Sequence, residues 1–198
     1  AVSGLALSMF VLMHMLGNLL ILVSAKKYNL YGHAITSNPL ILYTAEIGLI
    51  TFFFLHIIFA FQLTWENRLA RPHQYALPSH GVKGTSWVKK TLWPQGLLIL
   101  SFTVLHLITF KYGPIYQVEY DGLIVRDLHR LVVEIFQQPI YIVWYIVCLI
   151  ILGFHLSHGV TSALQTLGIH HPRYQKCFNL AGIVYGAVVL VGFLSQPV

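Results

Sequence analysis

Long apolar stretches broken by short polar ones dominate the chain. A membrane-spanning helix needs about 20 predominantly apolar residues. Five stretches approach or exceed that length: Ala1 to Val23, Leu40 to Leu63, Leu92 to Phe110, Ile140 to Leu167 and Phe178 to Leu194. Pro39, Pro94 and Pro139 stand at the starts of the second, third and fourth stretches, where a missing amide proton is tolerated. The segment Leu123 to Phe136 differs. Leu128, Leu131, Val132, Ile135 and Phe136 share one helical face, and Arg126, Asp127, Arg130 and Glu134 interrupt it. That pattern predicts an amphipathic helix lying on the outer surface, either a cap that tidies a long loop or a lid over a lipid-soluble ligand. The predicted fold is an all-α membrane protein, a single domain over 1–198 with five transmembrane helices, the first four forming a bundle core.

Composition narrows the class. Of 198 residues 57% are hydrophobic and 9% charged, against roughly 25% charged in a soluble domain. A soluble enzyme is excluded, and so is a disordered chain, which is polar and poor in aromatics. The net charge is +6, but the basic residues are spread over connections, which suits a bilayer surface and argues against a nucleic-acid partner. Arg68, Arg71, Lys83, Lys89, Lys90, Arg173 and Lys176 fall on the N-terminal side, against Lys26, Lys27, Lys111, Arg126 and Arg130 on the other. This excess of seven to five favours a cytoplasmic N-terminus. The chain opens inside the first stretch without an initiator Met, so upstream residues are expected, and no signal-peptide pattern precedes that stretch. Cys148 and Cys177 make no disulfide framework, and no C-x-x-C-H motif for covalent haem attachment occurs.

Eleven histidines are the unusual feature. His14, His56, His106 and His155 fall one in each of the first four stretches, at successive spacings of 42, 50 and 49 residues. A lone intramembrane His is often an interhelical hydrogen-bonding residue. Four in register fit a second reading, because neutral imidazole is a strong iron ligand and haem iron takes two axial ligands. Depth tests the pattern. His56 lies 17 residues after Pro39 and His155 16 after Pro139, so both sit about 25 Å below the outer boundary at 1.5 Å per residue. His106 lies 12 residues after Pro94 and His14 13 after Ala1, which puts both roughly 18–20 Å from the inner boundary. The expected pairs are therefore His56 with His155 near the inner face and His14 with His106 nearer the outer face, two bis-histidine haem b sites stacked across the bilayer.

Other residues join this picture with alternatives open. Gly17 and Gly159 share a face with His14 and His155 and serve either a flat macrocycle or close helix packing. His158 shares the face of His155 and rivals it as a ligand on spacing alone. His33, His73, His80, His129, His170 and His171 fall in loops or at the interface. Arg68 and Lys90, at the inner ends of the second and third stretches, suit haem propionates or lipid head groups. Glu46 is the one carboxylate well inside a span, seven residues from Pro39 and hence about 10 Å below the outer surface. It either exchanges protons with a bound quinone or pairs with a group such as Lys111 to fix helix packing.

The run Gly153-Phe154-His155-Leu156-Ser157-His158-Gly159, continuing to Gln165-Thr166-Leu167-Gly168, resembles the fourth-helix signature of the cytochrome b membrane-anchor subunit of succinate dehydrogenase and fumarate reductase, in its single-chain, five-helix, dihaem branch. Asn67-Arg68-Leu69-Ala70-Arg71-Pro72, His106 followed by Phe110-Lys111, and Arg126-Asp127 before Val133-Glu134 and Phe136 are also similar to it. The resemblance covers nearly the whole chain. One departure is Lys89-Lys90-Thr91, where the family commonly has Ser-Arg-Thr; lysine lacks the bidentate fork of a guanidinium. The resemblance implies His155 as the ligand on the fourth helix, two haem b groups, and menaquinone as substrate. It implies a flavoprotein subunit and an iron–sulfur subunit docked on the cytoplasmic face of a bacterial inner membrane. Nothing in the chain resembles a flavin, nucleotide or iron–sulfur site, so dicarboxylate oxidation belongs to those partners. The competing readings are a dihaem anchor of another respiratory dehydrogenase and, in a different class, a haem-free transporter or scaffold with structural histidines.

Overall fold

A computed structural model describes residues 1–70, 87–169 and 171–196. Among the described residues five helical segments are long and apolar enough to cross a membrane: Val2–Leu22, Pro39–Leu69, Leu92–Lys111, Pro139–Thr166 and Gln175–Leu194. We label the helices α1 (Val2–Asn18), α2 (Ala25–Thr36), α3 (Pro39–Leu69), α4 (Trp87–Lys90), α5 (Leu92–His106), α6 (Leu128–Phe136), α7 (Pro139–Thr166) and α8 (Gln175–Leu194). A 3-10 turn over Leu19–Leu22 extends α1, and a π turn over Leu107–Lys111 extends α5. Helices suit hydrocarbon because each closes its own backbone hydrogen bonds. Pro39 and Pro139 begin α3 and α7 as expected. At the first of these the Asn38 Oδ1 accepts from the amides of Leu40 at 3.1 Å and Ile41 at 3.3 Å, which satisfies two otherwise unpaired donors.

The spans pack unevenly. The α7–α8 pair is the most closely packed, and α1 lies centrally, touching α3, α7 and α8. Gly153, Gly182 and Gly186 are buried between α7 and α8, and a Cβ at Gly186 would run into the carbonyl of Gly153. Small residues let two backbones approach where lipid offers no hydrophobic drive between helices. Ser8 of α1 donates to Tyr185 Oη of α8 at 2.8 Å, and that hydroxyl donates to the Ser8 carbonyl at 2.6 Å. Helix α3 is different. None of its 31 residues is buried, and its backbone lies against α1 and α2.

On the side opposite the N-terminus a cap corrects two expectations. First, the connection after the first span is helical over Ala25–Thr36. Second, Leu123–Arg126 is a β-strand, not the start of an amphipathic helix. It pairs antiparallel with Gln117–Tyr120, and these strands are β2 and β1. Asp121 and Gly122, at φ 53° and 83°, form the two-residue turn, the Asp-Gly chemistry that right-twisted hairpins favour. The amphipathic helix is confined to Leu128–Phe136, capped by Asp127, whose Oδ1 accepts from Arg130 N at 3.0 Å. Buried Asn29 of α2 ties the cap together. Its Nδ2 donates to Asp127 Oδ1 at 2.8 Å and its Oδ1 accepts from His129 N at 2.9 Å. Arg126 Nη2 donates to the carbonyls of Phe110 at 2.9 Å and Pro114 at 3.2 Å, placing a cation at a helix C-terminus. Beside it, hydrogen bonds from Tyr116 and Arg130 hold the Glu134 carboxyl below its ordinary range.

The glycine seam yields a direct test. Gly186→Leu should force α7 and α8 apart and destabilise the chain by about 1–3 kcal/mol, the usual cost of overpacking. A lower midpoint of thermal unfolding in detergent would register it; an unchanged midpoint would contradict the seam.

Candidate functional site

The structure brings the four intramembrane histidines together two by two. His14 of α1 faces His106 of α5 with ring centroids 5.8 Å apart and planes at 89°. His56 of α3 faces His155 of α7 at 6.2 Å and 79°. These are the pairs that depth predicts, one toward the cap and one toward the N-terminal side. His155 is the α7 residue whose ring meets His56 edge-on. All four imidazoles are half-buried.

The spacing has a chemical meaning. With metal–imidazole bonds of about 2 Å and roughly 1 Å from each ligating nitrogen to its ring centre, two imidazoles on one ion stand about 6 Å apart. Both pairs have that separation. Among the described residues no group of three or more His, Cys, Asp or Glu could hold a metal ion. Each pair therefore supplies two ligands only, and an ion there needs an equatorial set from elsewhere, as a porphyrin provides. His155 Nδ1 is buried with no hydrogen-bond partner, a costly state for a polar atom in hydrocarbon. The residues present thus fit a two-ligand haem site at each level.

The cap-side pair has the richer surroundings. His106 Nδ1 lies 3.1 Å from Tyr145 Oη. Phe10 stacks on His14 at 5.4 Å, and Phe102 and Phe110 flank His106 at 5.9 and 5.2 Å. Asn18, one turn below His14, donates to the His14 carbonyl at 2.7 Å and accepts from Tyr28 Oη at 2.8 Å. Burial, with Tyr31 nearby, pushes the Tyr28 hydroxyl up to about 12, so it remains a donor. Sequence reasoning missed Asn18, Tyr28 and Tyr145. The available signal is that a polar group within a span must find a partner.

Glu46 takes the partner offered as one of its alternatives. Its Oε1 lies 2.6 Å from Lys111 Nζ. The pair bridges α3 and the π turn that ends α5, two elements that share little backbone contact. Extra π turns are frequent at functional positions. At the opposite end, Arg68 and Lys90 line one cavity of about 370 Å³ with Thr64, Asn67, Leu92 and Trp93. Two cations in one recess suit an anionic oxygen group.

The glycines divide. A Cβ at Gly17 would strike the Tyr31 ring at 2.5–2.7 Å, so Gly17 gives room to the cap helix α2. Gly159 faces open space. Gly4, unremarked in the sequence, points at the inner pair: a Cβ there would stand 3.4 Å from His56 Cε1. Of the remaining histidines, His33 lies in α2 and His129 in α6, and His171 Nδ1 accepts from Arg173 N at 3.2 Å. Arg71, His73, His80, Lys83 and His170, and the side chain of Lys89, lie outside the described residues.

No protein-family model, no curated protein and no solved structure matches the chain.

Gly4→Leu should drive a branched side chain into His56 while leaving His14 and His106 in place. Under the two-site reading the expected result is loss of one haem of two by pyridine haemochrome assay. Retention of both would show that α1 does not shape the inner site.

Proposed function

We propose that this chain is the dihaem cytochrome b anchor of a succinate:quinone oxidoreductase. The observation that carries the reading is the meeting of four histidines from four spans as two pairs, each at the separation two ligands of one iron would take. His14 and His106 would hold the outer haem b, and His56 and His155 the inner one. Such iron, when bound, takes up and releases one electron at a time, so two sites stacked across the bilayer form an electron path. Arg68 and Lys90 would meet a propionate of the inner group. The partners are the flavoprotein and iron–sulfur subunits, docked on the basic N-terminal side of a bacterial cytoplasmic membrane, and the electron acceptor or donor is menaquinone. These identities rest on the fourth-helix signature around His155 and on the absence of a flavin or iron–sulfur motif in the chain.

Quinone chemistry moves protons with electrons, so a protonatable group must stand beside the ring. Glu46 is the candidate, near the cap-side pair. Lys111 holds its carboxylate in place. Protons drawn from that side, with electrons from the other, would couple turnover to the membrane potential.

Two measurements test this. The purified chain should show a Soret band and two haems per chain. His56→Ala or His155→Ala should remove the inner haem, and His14→Ala or His106→Ala the outer. A spectrum without a Soret band would overturn the assignment. In the assembled complex, Glu46→Gln should lower quinone-linked activity at least tenfold, a transition-state loss of about 1.4 kcal/mol, while both haems and dye-linked succinate oxidation persist. Unchanged quinone activity would remove Glu46 from the site.

A further inference from the structure

The two histidine pairs are not equivalent in what lies behind them. His106 Nδ1 has a hydroxyl at 3.1 Å, whereas His155 Nδ1 is buried without a partner. Asn18 Nδ2 stands 3.4 Å from both ring nitrogens of His14, an approach that singles out neither nitrogen. Tyr145 itself is 6% exposed. Its ring meets Phe102, Phe136 and Phe110 edge-to-face at 4.9, 5.0 and 6.1 Å, with angles of 76°, 89° and 88°. Three such contacts fix the ring, so its hydroxyl cannot swing away from His106. The three phenylalanines come from α5, its π turn and α6, so the cap contributes to the clamp.

We propose that Tyr145 is the positioning residue of the outer iron site, its hydroxyl accepting the Nδ1 proton of His106 and thereby setting both the ring's orientation and the iron's potential. The inference rests on the haem reading above. A ligating imidazole gives its lone pair from one nitrogen and keeps its proton on the other. With Nδ1–H directed to Tyr145, Nε2 is the nitrogen left for iron. An acceptor on Nδ1–H makes the imidazole more basic, and such partners tune both ligand geometry and metal electronics. A more basic ligand favours the ferric state and lowers the potential. A tyrosine that only filled space would affect stability and haem content, but not this quantity.

The test is a spectroscopic redox titration of the full haem-loaded chain in detergent, wild type against Tyr145→Phe. The Gly4→Leu background, lacking the inner component, identifies the outer one. The expected result is two haems retained, the outer midpoint shifted to a more positive potential, its ferric low-spin resonance signal displaced, and the inner component unmoved. If Tyr145→Phe does not fold, 3,5-difluorotyrosine placed at position 145 keeps the shape while weakening the acceptor. It should shift the outer midpoint in the same direction. Two bound haems with an unmoved outer midpoint in the variant that folds would overturn the role of Tyr145 alone. A wild-type chain that binds no haem would overturn the haem reading and this inference together.

Discussion

Hydrocarbon offers no hydrogen bonds, and every polar side chain placed in it must be met from within the protein. That constraint organises the bundle. Ser8 meets Tyr185 across α1 and α8, Glu46 meets Lys111 across α3 and α5, and His106 meets Tyr145 across α5 and α7. Each contact joins two helices whose apolar surfaces would otherwise slide freely, because lipid is as apolar as leucine. The polar pairs therefore fix rotation and depth, and the histidines inherit their facing positions from that alignment. The glycine seam of α7 and α8 adds an extended surface of direct backbone approach.

The cap is built on a different balance. It has water on one side, so its polar groups serve as joints. Asn29 is 1% exposed and reaches Asp127, Tyr120 and the amide of His129. One amide side chain thus binds α2, the hairpin and α6, and the cap presses Phe136 against Tyr145. The environment of the cap-side histidines is set in part by residues outside the spans.

Much of the bundle is legible in the sequence, for physical reasons. Spans follow from apolar length, Pro39 and Pro139 open two helices and Pro94 lies in the first turn of a third, so residue counts become depths and depths become pairs. Helix ends are less legible. The second span runs on to Leu69 because Thr64, Glu66 and Asn67 are compatible with helix outside the hydrocarbon. Helix α2 is hidden because Lys26, Lys27 and Asn29 give it little apolar excess. The hairpin is hidden because Leu123-Ile124-Val125 is a continuous apolar run that also suits a helix, although Asp121-Gly122 carries the turn signal. For Glu46, composition leaves two roles and geometry supplies the Lys111 contact. Tyr145 is illegible because a tyrosine near a helix end is ordinary in membranes, and only tertiary contact shows what its hydroxyl touches.

Helix α3 carries a mechanical consequence. At 31 residues it is about 46 Å long, against a hydrocarbon core of about 30 Å. It therefore tilts or stands clear of the lipid at an end. With no residue buried, it reaches α5 and α7 through side chains, among them Glu46 on Lys111, Phe61 on Trp93 and His56 on His155. An unbroken helix held at such spaced points behaves as a rod on pins. Glu46 and Arg68 lie near its two ends, about 33 Å apart and within about 40° of one another around the axis. On so continuous a helix a tilt imposed at one end would carry to the other, and His56 lies between them.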